Sequence, residues 1–223
     1  MRILIILFVS HVVAMIFHTS GLFLAGRLAG ATISEVGIFT GPEIMKIEVY
    51  GLPFRLNLFP LGSYIKFDAD QSPARGKRLD EINPLIRALI AASGCIALLA
   101  LAAISLGPRA TLHQTVTGFS QIVSGGLSPI ANGTRLLQRL WQFAATEPLL
   151  ATVGLVASKE AAFNLLPLPV FNGGDIILNL VTLVKPISSS LRDKLNIVGL
   201  LLMIVIWISW LAALIWFLVS ART

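Results

Sequence analysis

Two short segments of the chain hold side chains with the chemistry of metal ligands. His18 is followed by Thr19 and Leu22 in the first apolar run, and Asn172 lies far downstream. Donor residues four positions apart lie on one face of a helix and can reach one ion, and a carboxylate between them can act as a base. Here Leu22 has no donor atom, Thr19 cannot accept a proton from water at neutral pH, and Asn172 offers an oxygen without negative charge. The segments therefore predict a metal site that lacks most of its ligands.

Other candidate ligands do not complete this site from the sequence alone. His11 lies on the same helix face as His18 but seven residues earlier, about 10 Å away along the axis, which is too far for both to hold one ion. Cys95 and Asp175 also carry donor atoms, but nothing in the sequence places either of them beside His18. We therefore expect no catalytic zinc site.

The elements that position these residues are predicted to be membrane-spanning helices. The 223-residue chain is 56% hydrophobic and 13% charged, with a mean hydropathy of +0.84, whereas soluble proteins are about a quarter charged. Roughly 20 apolar residues cross a bilayer as a helix. Four apolar runs meet this requirement, at residues 1–25, 85–106, 149–170 and 197–219. The first run is longer than the apolar part of a signal peptide, so we expect it to be retained as a span.

The basic residues are distributed as in a polytopic membrane protein. The net charge is +6, and most of the 17 Lys and Arg residues fall in or beside the first and third connections between spans. Because positive charge concentrates in cytoplasmic loops, both termini are predicted to lie on the non-cytoplasmic side. No DNA- or RNA-binding motif accompanies the charge, so no nucleic-acid partner is expected. The single cysteine excludes a disulfide framework within the chain.

The connections between the spans differ in residue composition and in predicted secondary structure. Residues 31–67 contain short β-branched and aromatic stretches separated by Gly and Pro, which predicts a small hairpin sheet packed against the helices. Residues 108–147 form the longest later connection, with a turn predicted at 124–129 and an amphipathic interfacial helix at 130–145. The sequence has no internal repeat and no second soluble domain. The predicted architecture is one membrane domain over residues 1–223, with about four transmembrane helices and a small membrane-associated β-hairpin.

Four blocks, in order, resemble the core of the site-2 protease family of membrane zinc proteases. The family signatures are H-E-x-x-H, G-x-x-x-G-P with I-P-L-G-G-Y-V-K, A-G-P-x-x-N, and N-x-x-P-x-P-x-L-D-G-G. The corresponding blocks in this chain are residues 17–22, residues 37–42 with 59–66, residues 92–98, and residues 164–174. The last block is the most specific, because its Asn, two prolines and paired glycines recur at the family spacing.

The resemblance implies which functions have been lost. Zinc in a catalytic site takes about three protein ligands, and among the family positions only His18 keeps the ligand chemistry. Thr19 stands in place of the general base, Leu22 in place of the second histidine, and Asn172 in place of the aspartate. Cys95 and Leu98 also depart from the family's proline and asparagine. No catalytic residue, bound metal or cofactor is therefore expected, and zinc would be needed only if the chain were an active protease.

The framework residues are retained and predict a binding groove. An unwound segment at membrane depth needs protein or water to cover its backbone, and the family uses this segment to approach its substrate. The resemblance carries this role to five residues, which are Asn164, Pro167, Pro169, Gly173 and Gly174.

Lys159 and Glu160 are charged residues inside a predicted span. Buried charges in a bilayer are costly and usually paired, so we expect both to contact groups on other helices and to be candidate partner contacts. A polar pathway and a Ser158–Lys159 nucleophile are the alternatives. Adjacent helical residues point roughly 100° apart, so the two charges are not expected to face one another.

These features predict a non-catalytic, site-2-protease-like integral membrane protein that acts as a binding, assembly or regulatory subunit of a membrane complex. Its expected partners are other transmembrane proteins or helices, and lipids. The resemblance implies the bacterial inner membrane as its location. Two other functions stay open at this point. One is an active zinc-dependent intramembrane protease with an unusual ligand set, and the other is a small channel or carrier that uses Lys159 and Glu160.

Overall fold

A computed structural model describes residues 1–67 and 76–220 of the chain. Its described part contains seven α-helices and two long β-strands. Their order is α1 (Arg2–Leu28), β1 (Ile33–Val49), β2 (Leu52–Phe67), α2 (Pro84–Leu106), α3 (Pro108–Leu127), α4 (Thr134–Thr146), α5 (Leu149–Asn164), α6 (Asn172–Val184) and α7 (Ser189–Ser220). A 3₁₀ turn at Leu79–Glu81 precedes α2, and a π-turn at Pro129–Gly133 joins α3 to α4.

Three of the described helices, α1, α2 and α7, are long and apolar enough to cross a membrane. They confirm the spans predicted at residues 1–25, 85–106 and 197–219. The span predicted at 149–170 is wrong in its last six residues, since α5 ends at Asn164 after 16 residues, a length of about 24 Å. The chain turns there because proline at 167 and 169 cannot continue a helix. Half of the residues of α5 are buried among the other helices.

The connection at residues 108–147 is more helical than predicted. Gly107, with φ +84°, ends α2, and Pro108 begins α3 at once. The turn predicted at 124–129 is wrong, because α3 continues through both glycines to Leu127. Gly125 lies in the helix to make room for an indole ring, since a Cβ there would come within 2.4 Å of Trp210. The predicted amphipathic helix is present as α4.

The hairpin predicted at 31–67 is present, and it folds back along α1. β1 and β2 pair antiparallel, and the central residues 36–38 have partners on both sides, at 54–56 and at 63–65. The loop at Tyr50 and Gly51, both with positive φ, closes the hairpin near the C-terminal end of α1. Phe39 packs on Phe8, at a ring-centroid distance of 6.4 Å, near the opposite end of α1. The sheet therefore runs beside most of the first span.

A polar cluster of Glu35, Glu43, Arg55 and Tyr64 joins the two strands of the sheet. The Tyr64 hydroxyl donates to Glu35 Oε1 at 2.6 Å. Arg55 lies 2.8 Å from the other Glu35 oxygen through Nε, and its Nη1 donates to Glu43 at 2.5 Å. The cluster joins strand segments that are distant in sequence.

The core lies where α1, α2 and α5 meet. Small and aliphatic residues fill it, with Ala14 from α1, Leu98 and Ala102 from α2, and Ala157 and Ala161 from α5. Alanine lets the helix backbones approach closely, which is how apolar helices associate where lipid is the solvent. This core positions α1 and α2 beside the start of α6, where the predicted site residues lie. α7 packs instead on α3, α4 and the 129–133 turn.

Candidate functional site

His18 and Asn172 meet at the junction of three helices. His18 on α1 is 8% exposed, and its Nε2 lies 3.2 Å from Oδ1 of Asn172, the first residue of α6. The amide nitrogen of Asn172 donates to the Ala91 carbonyl of α2 at 2.8 Å. That bond orients the amide oxygen towards the imidazole. Since an amide oxygen only accepts, the contact requires the imidazole to carry its proton on Nε2.

The imidazole packs directly on the backbone of α2. A Cβ at Gly94 would lie 2.6 Å from both Cδ2 and Nε2 of His18. The glycine therefore sets the distance between α1 and α2 at this depth. His18 is held on one side by Gly94 and on the other by Asn172.

Thr19, which takes the place of the family's general base, is tied into hydrogen bonds. Its hydroxyl donates to the Met15 carbonyl at 2.8 Å. It also forms a short hydrogen bond with the Ser63 hydroxyl of β2. Because the proton of Thr19 is used by Met15, the Ser63 hydroxyl donates to it. The contact joins the hairpin to the first span.

The other departures from the family pattern lie in apolar packing. Leu22 is half-buried on α1. Leu98 is fully buried in the core, and Cys95 is 1% exposed on the same helix. Asp175, one helical turn into α6, donates its backbone N–H to the Phe171 carbonyl at 3.0 Å. Neither the three substituted residues nor Asp175, the other candidate ligand, forms a hydrogen bond or ion pair with His18 or Asn172 in the residues that the structure describes.

The donor set at this junction does not fit a catalytic zinc ion. Two ligands of one zinc each lie about 2.0–2.2 Å from it, so the 3.2 Å between His18 Nε2 and Asn172 Oδ1 is short enough for a shared ion. A third protein ligand is missing, because Leu22 carries no donor. Across residues 1–67 and 76–220, no group of three or more His, Cys, Asp or Glu side chains could hold a metal.

Lys159 and Glu160 contact different neighbouring elements, as predicted from their spacing. Glu160 Oε1 lies 2.7 Å from His11 Nδ1, and the other ring nitrogen of His11 lies 3.0 Å from the Pro60 carbonyl. The carbonyl must accept from that nitrogen, so the geometry suits an imidazolium paired with a carboxylate. This contact joins α5, α1 and β2. It also gives His11 a structural role as an ion-pair partner. From the sequence, His11 was a candidate only for metal binding.

The Lys159 ammonium turns to α3 instead. It donates to the Gln114 carbonyl at 2.7 Å and lies 3.3 Å from the Thr117 hydroxyl. The neighbouring Ser158 is buried and donates to the Gly154 carbonyl of its own helix at 2.9 Å. The Ser158–Lys159 pair is therefore not arranged as a nucleophile and base. Gln114 and Thr117 were missed in the sequence, where α3 had no recognised helical pattern.

The five predicted groove residues lie within or beside a compact loop at residues 165–171. The Asn164 side chain donates to the Glu160 carbonyl at 2.9 Å. A Cβ at Gly173 would lie 2.3 Å from the Leu165 oxygen, and a Cβ at Gly174 would lie 2.1 Å from the Leu168 oxygen. Both glycines are thus required for the loop to fold onto the start of α6. Their role in a partner groove stays a prediction.

The two prolines of the loop have different surroundings. Pro169 faces α7, where a Cβ on Gly199 would lie 2.9 Å from its Cδ. Pro167 is exposed. One side of the loop therefore packs against α6 and α7. The other side, at Pro167, is exposed, and it is called the open side below.

Comparisons with known proteins agree with this geometry. The chain matches the sequence model of Peptidase family M50 over residues 4–206. It is 32% identical over 88 residues to Membrane metalloprotease ARASP, chloroplastic, of Arabidopsis thaliana, and 30% identical over 87 residues to Probable membrane metalloprotease ARASP2, chloroplastic, of the same plant. Each alignment covers 37% of this chain and 20% of the relative, so it spans about a fifth of each relative's length.

The family match extends from the start of α1 well into α7 and includes the hairpin, the His18–Asn172 junction and the 165–171 loop. Since it covers most of the sequence, this integral membrane protein belongs to peptidase family M50, the site-2 protease family.

Proposed function

We propose that this chain is a non-catalytic member of the site-2 protease family that binds a segment of another membrane protein, as an assembly or regulatory subunit. The observation that carries the proposal is the Asn172 amide, which bridges His18 and the Ala91 carbonyl at the junction of α1, α2 and α6. An amide held in this way serves as a structural link. The family's negatively charged ligand is absent from that position.

The proton-transfer position supports the same function. A general base for water must have a pKa near the working pH, and a threonine hydroxyl does not. The Thr19 hydroxyl is moreover occupied by Met15 and Ser63. Restoring catalysis would need a base at 19 and a donor at 22 together.

The binding role is supported by what the structure keeps. Gly173, Gly174 and Gly199 hold the 165–171 loop between α6 and α7, and they leave Pro167 exposed. An ordered loop with an open side loses little conformational entropy when it binds, which favours affinity. We propose that this open side contacts an extended peptide or a helix of the partner.

The competing function is an active zinc protease with an unusual ligand set. The 3.2 Å between His18 Nε2 and Asn172 Oδ1 favours it, because two ligands of one ion can lie at that distance. It would require a third ligand from water, from the partner or from the substrate. The bacterial inner membrane and the orientation with both termini outside are part of the proposal for either function.

Zinc content and proteolysis separate the two functions. The full chain, purified in detergent and returned to lipid nanodiscs, would be measured for zinc per chain and for cleavage of a transmembrane test peptide. We expect substoichiometric zinc that His18→Ala leaves unchanged, and no cleavage that a chelator inhibits. One zinc per chain that disappears in His18→Ala, together with chelator-sensitive cleavage, would establish the protease and refute the proposal.

Site-specific crosslinking tests the binding role. A photoreactive amino acid would be placed at Pro167, and a matched probe at Ile104, which is 79% exposed at the far end of α2. We expect one membrane protein to crosslink in a defined ratio at 167 and not at 104. The same set of products at both positions would show random contacts in the bilayer and would contradict the proposal.

A further inference from the structure

A second region, away from the His18–Asn172 junction, has the form of a binding site. A cavity of about 500 Å³, here called the polar chamber, lies between α3, α4 and α5. His113, Gln114 and Thr117 of α3 line it together with Arg139 of α4 and Lys159 of α5. Small-molecule sites in proteins measure about 300–1,000 Å³, so its size is that of a ligand site.

An apolar cavity adjoins the polar chamber. This apolar chamber, of about 770 Å³, lies between α5 and α7 and is lined by residues such as Val156, Phe163, Trp207 and Leu214. The two chambers share wall residues, which are Ile122, Leu137, Leu140, Lys159 and Trp210. The wall of the polar chamber is itself largely apolar, and the chamber takes its name from the polar and basic side chains set in that wall. The region therefore has one part that carries these groups and one almost wholly apolar part, and the two meet at a common wall.

The common wall is held in place. The Trp210 indole nitrogen donates to the Ile122 carbonyl of α3 at 3.3 Å, and the ring packs against Gly125. These contacts fix α7 to α3 and keep it apart from α5 at the level of the apolar chamber. The contacts of Trp210 with α3 thus help to determine the width of the space between α5 and α7.

The charge of the polar chamber is uncompensated. Lys159 and Arg139 bring two cations to its lining, and no carboxylate lines it among the described residues. Lys159 is bonded only to a carbonyl and a hydroxyl, and none of the ion pairs within residues 1–67 and 76–220 includes it. Glu160, which lines the adjoining apolar chamber, is paired with His11 rather than with Lys159. Charges inside membrane proteins pair with one another or with backbone carbonyls; the Gln114 carbonyl accepts from Lys159 but leaves its positive charge without an anion in the described part of the chain.

We propose that the two chambers bind one anionic phospholipid, with its phosphate headgroup beside Lys159 and Arg139 and an acyl chain in the apolar chamber. An amphiphile matches both the polarity change at the common wall and the positive charge at one end. α4 supports this placement, because it brings Arg139 to the chamber beside Leu137 and Leu140, and amphipathic helices with basic residues lie at the membrane interface and attract anionic lipids. The site is independent of the proposed binding role of the 165–171 loop.

Native mass spectrometry of the full chain in detergent tests the proposal. Phosphatidylglycerol and phosphatidylcholine with identical acyl chains would be offered in equal amounts. We expect one phosphatidylglycerol to be retained in preference to phosphatidylcholine. Since each cation near an anionic lipid contributes about 1 kcal/mol, Arg139→Gln and Lys159→Gln should each reduce that preference about fivefold.

Two further variants distinguish the site from a general affinity for lipid. Arg135→Gln removes the same charge one helical turn away on α4, outside the chamber lining, and should leave the preference unchanged. Leu137→Trp fills the common wall and should reduce the retention of both lipids. Because Arg139 is exposed, its variant keeps the test valid even if Lys159→Gln fails to fold.

Three results would overturn the proposal. The first is retention of neither lipid, or of both lipids equally, by the wild-type chain. The second is an equal effect of Arg135→Gln and Arg139→Gln, which would show a nonspecific charge effect at the surface. The third is displacement of the lipid by glycerol phosphate at the same concentration, which would show a site for a soluble anion.

Discussion

At the scale of single residues, Asn172 occupies a metal-ligand position of the family but forms structural hydrogen bonds at the junction of α1, α2 and α6. The Asn172 side chain links His18 Nε2 to the Ala91 carbonyl by hydrogen bonds. A double-mutant cycle with His18→Ala and Asn172→Ala measures this link. We expect a coupling free energy of unfolding of about 0.6 kcal/mol and no more than about 1.7 kcal/mol, the average and the maximum found for side-chain hydrogen bonds between membrane helices. Equilibrium unfolding in mixed micelles gives the four values, and additive effects of the two variants would contradict the link.

The close approach of α1 to α2 depends on a single missing methyl group. A Cβ at Gly94 would lie 2.6 Å from His18 Nε2 and 3.0 Å from its carbonyl oxygen. Gly94→Ala should therefore lower the free energy of unfolding by about 1–3 kcal/mol, as overpacked cores do. Gly126→Ala is the matched control, since its nearest atom lies 4.0 Å away, and it should be neutral or slightly stabilising. Equal thermal unfolding of the two variants would show that the contact is not tight.

At the scale of the elements, the hairpin depends on a charge cluster. The hydrogen bond from the Tyr64 hydroxyl holds the pKa of Glu35 below its usual value, and the positive charge of Arg55 acts in the same direction. A carboxyl whose pKa is lowered by folding adds stability above its unfolded pKa, and that stability is lost as the pH falls through the folded value.

Replacing the Tyr64 hydroxyl tests that cluster. Tyr64→Phe should destabilise the protein by about 1.5–3 kcal/mol at neutral pH, because the lost bond is to a charged group. The difference from wild type should shrink as the pH falls from the unfolded glutamate pKa of about 4.3 through the lower pKa of folded Glu35, because the carboxyl then becomes neutral. Ser34→Ala is the control, since Ser34 donates to the neutral Lys66 carbonyl at 3.1 Å. Thermal unfolding across this pH range is the measurement, and a pH-independent difference would refute the role of the Glu35 charge.

The elements also show which parts of the fold are readable from the sequence. The spans at α1, α2 and α7 follow from the length and polarity of their apolar runs. α3 was missed because its helix is rich in Thr, Ser, Gln and Gly, and its burial against α5 and α7 exists only in the folded chain. The end of α5 was placed six residues late, since apolar residues continue through a loop that its glycine contacts force to turn.

The candidate site divides in the same way. The positions of His18 and Asn172 were identifiable from the family motifs, which place ligands at a fixed spacing. Their direct contact, and the role of Ala91, could not be predicted, because a backbone carbonyl has no sequence signal. Likewise, the pairing of His11 with Glu160 joins residues 149 positions apart. The apolar periodicity of one helix does not indicate which face of a second helix will pack against it, so this pair could not be predicted.

At the scale of the whole molecule, the length of α1 and the distribution of basic residues predict the orientation of the hairpin relative to the membrane. The sheet runs along α1, and its closing loop at Tyr50, which is fully exposed, lies near the C-terminal end of α1. Arg2 lies at the other end of that helix. Because a helix of 27 residues is about 40 Å long, the two positions should be on opposite sides of the membrane. The excess of basic residues in the first and third connections predicts that Tyr50 is on the cytoplasmic side.

Cysteine labelling tests this orientation, and the chain is well suited to it. The single Cys95 is buried, so Cys95→Ala provides a background without reactive thiols. On it, Arg2→Cys should react with a membrane-impermeant maleimide in intact cells, and Tyr50→Cys should react only after the membrane is opened. The reverse pattern would place the N-terminus in the cytoplasm, and reaction of both in intact cells would mean that α1 does not span. The two positions therefore separate the orientation of α1 and the hairpin from the insertion of α1.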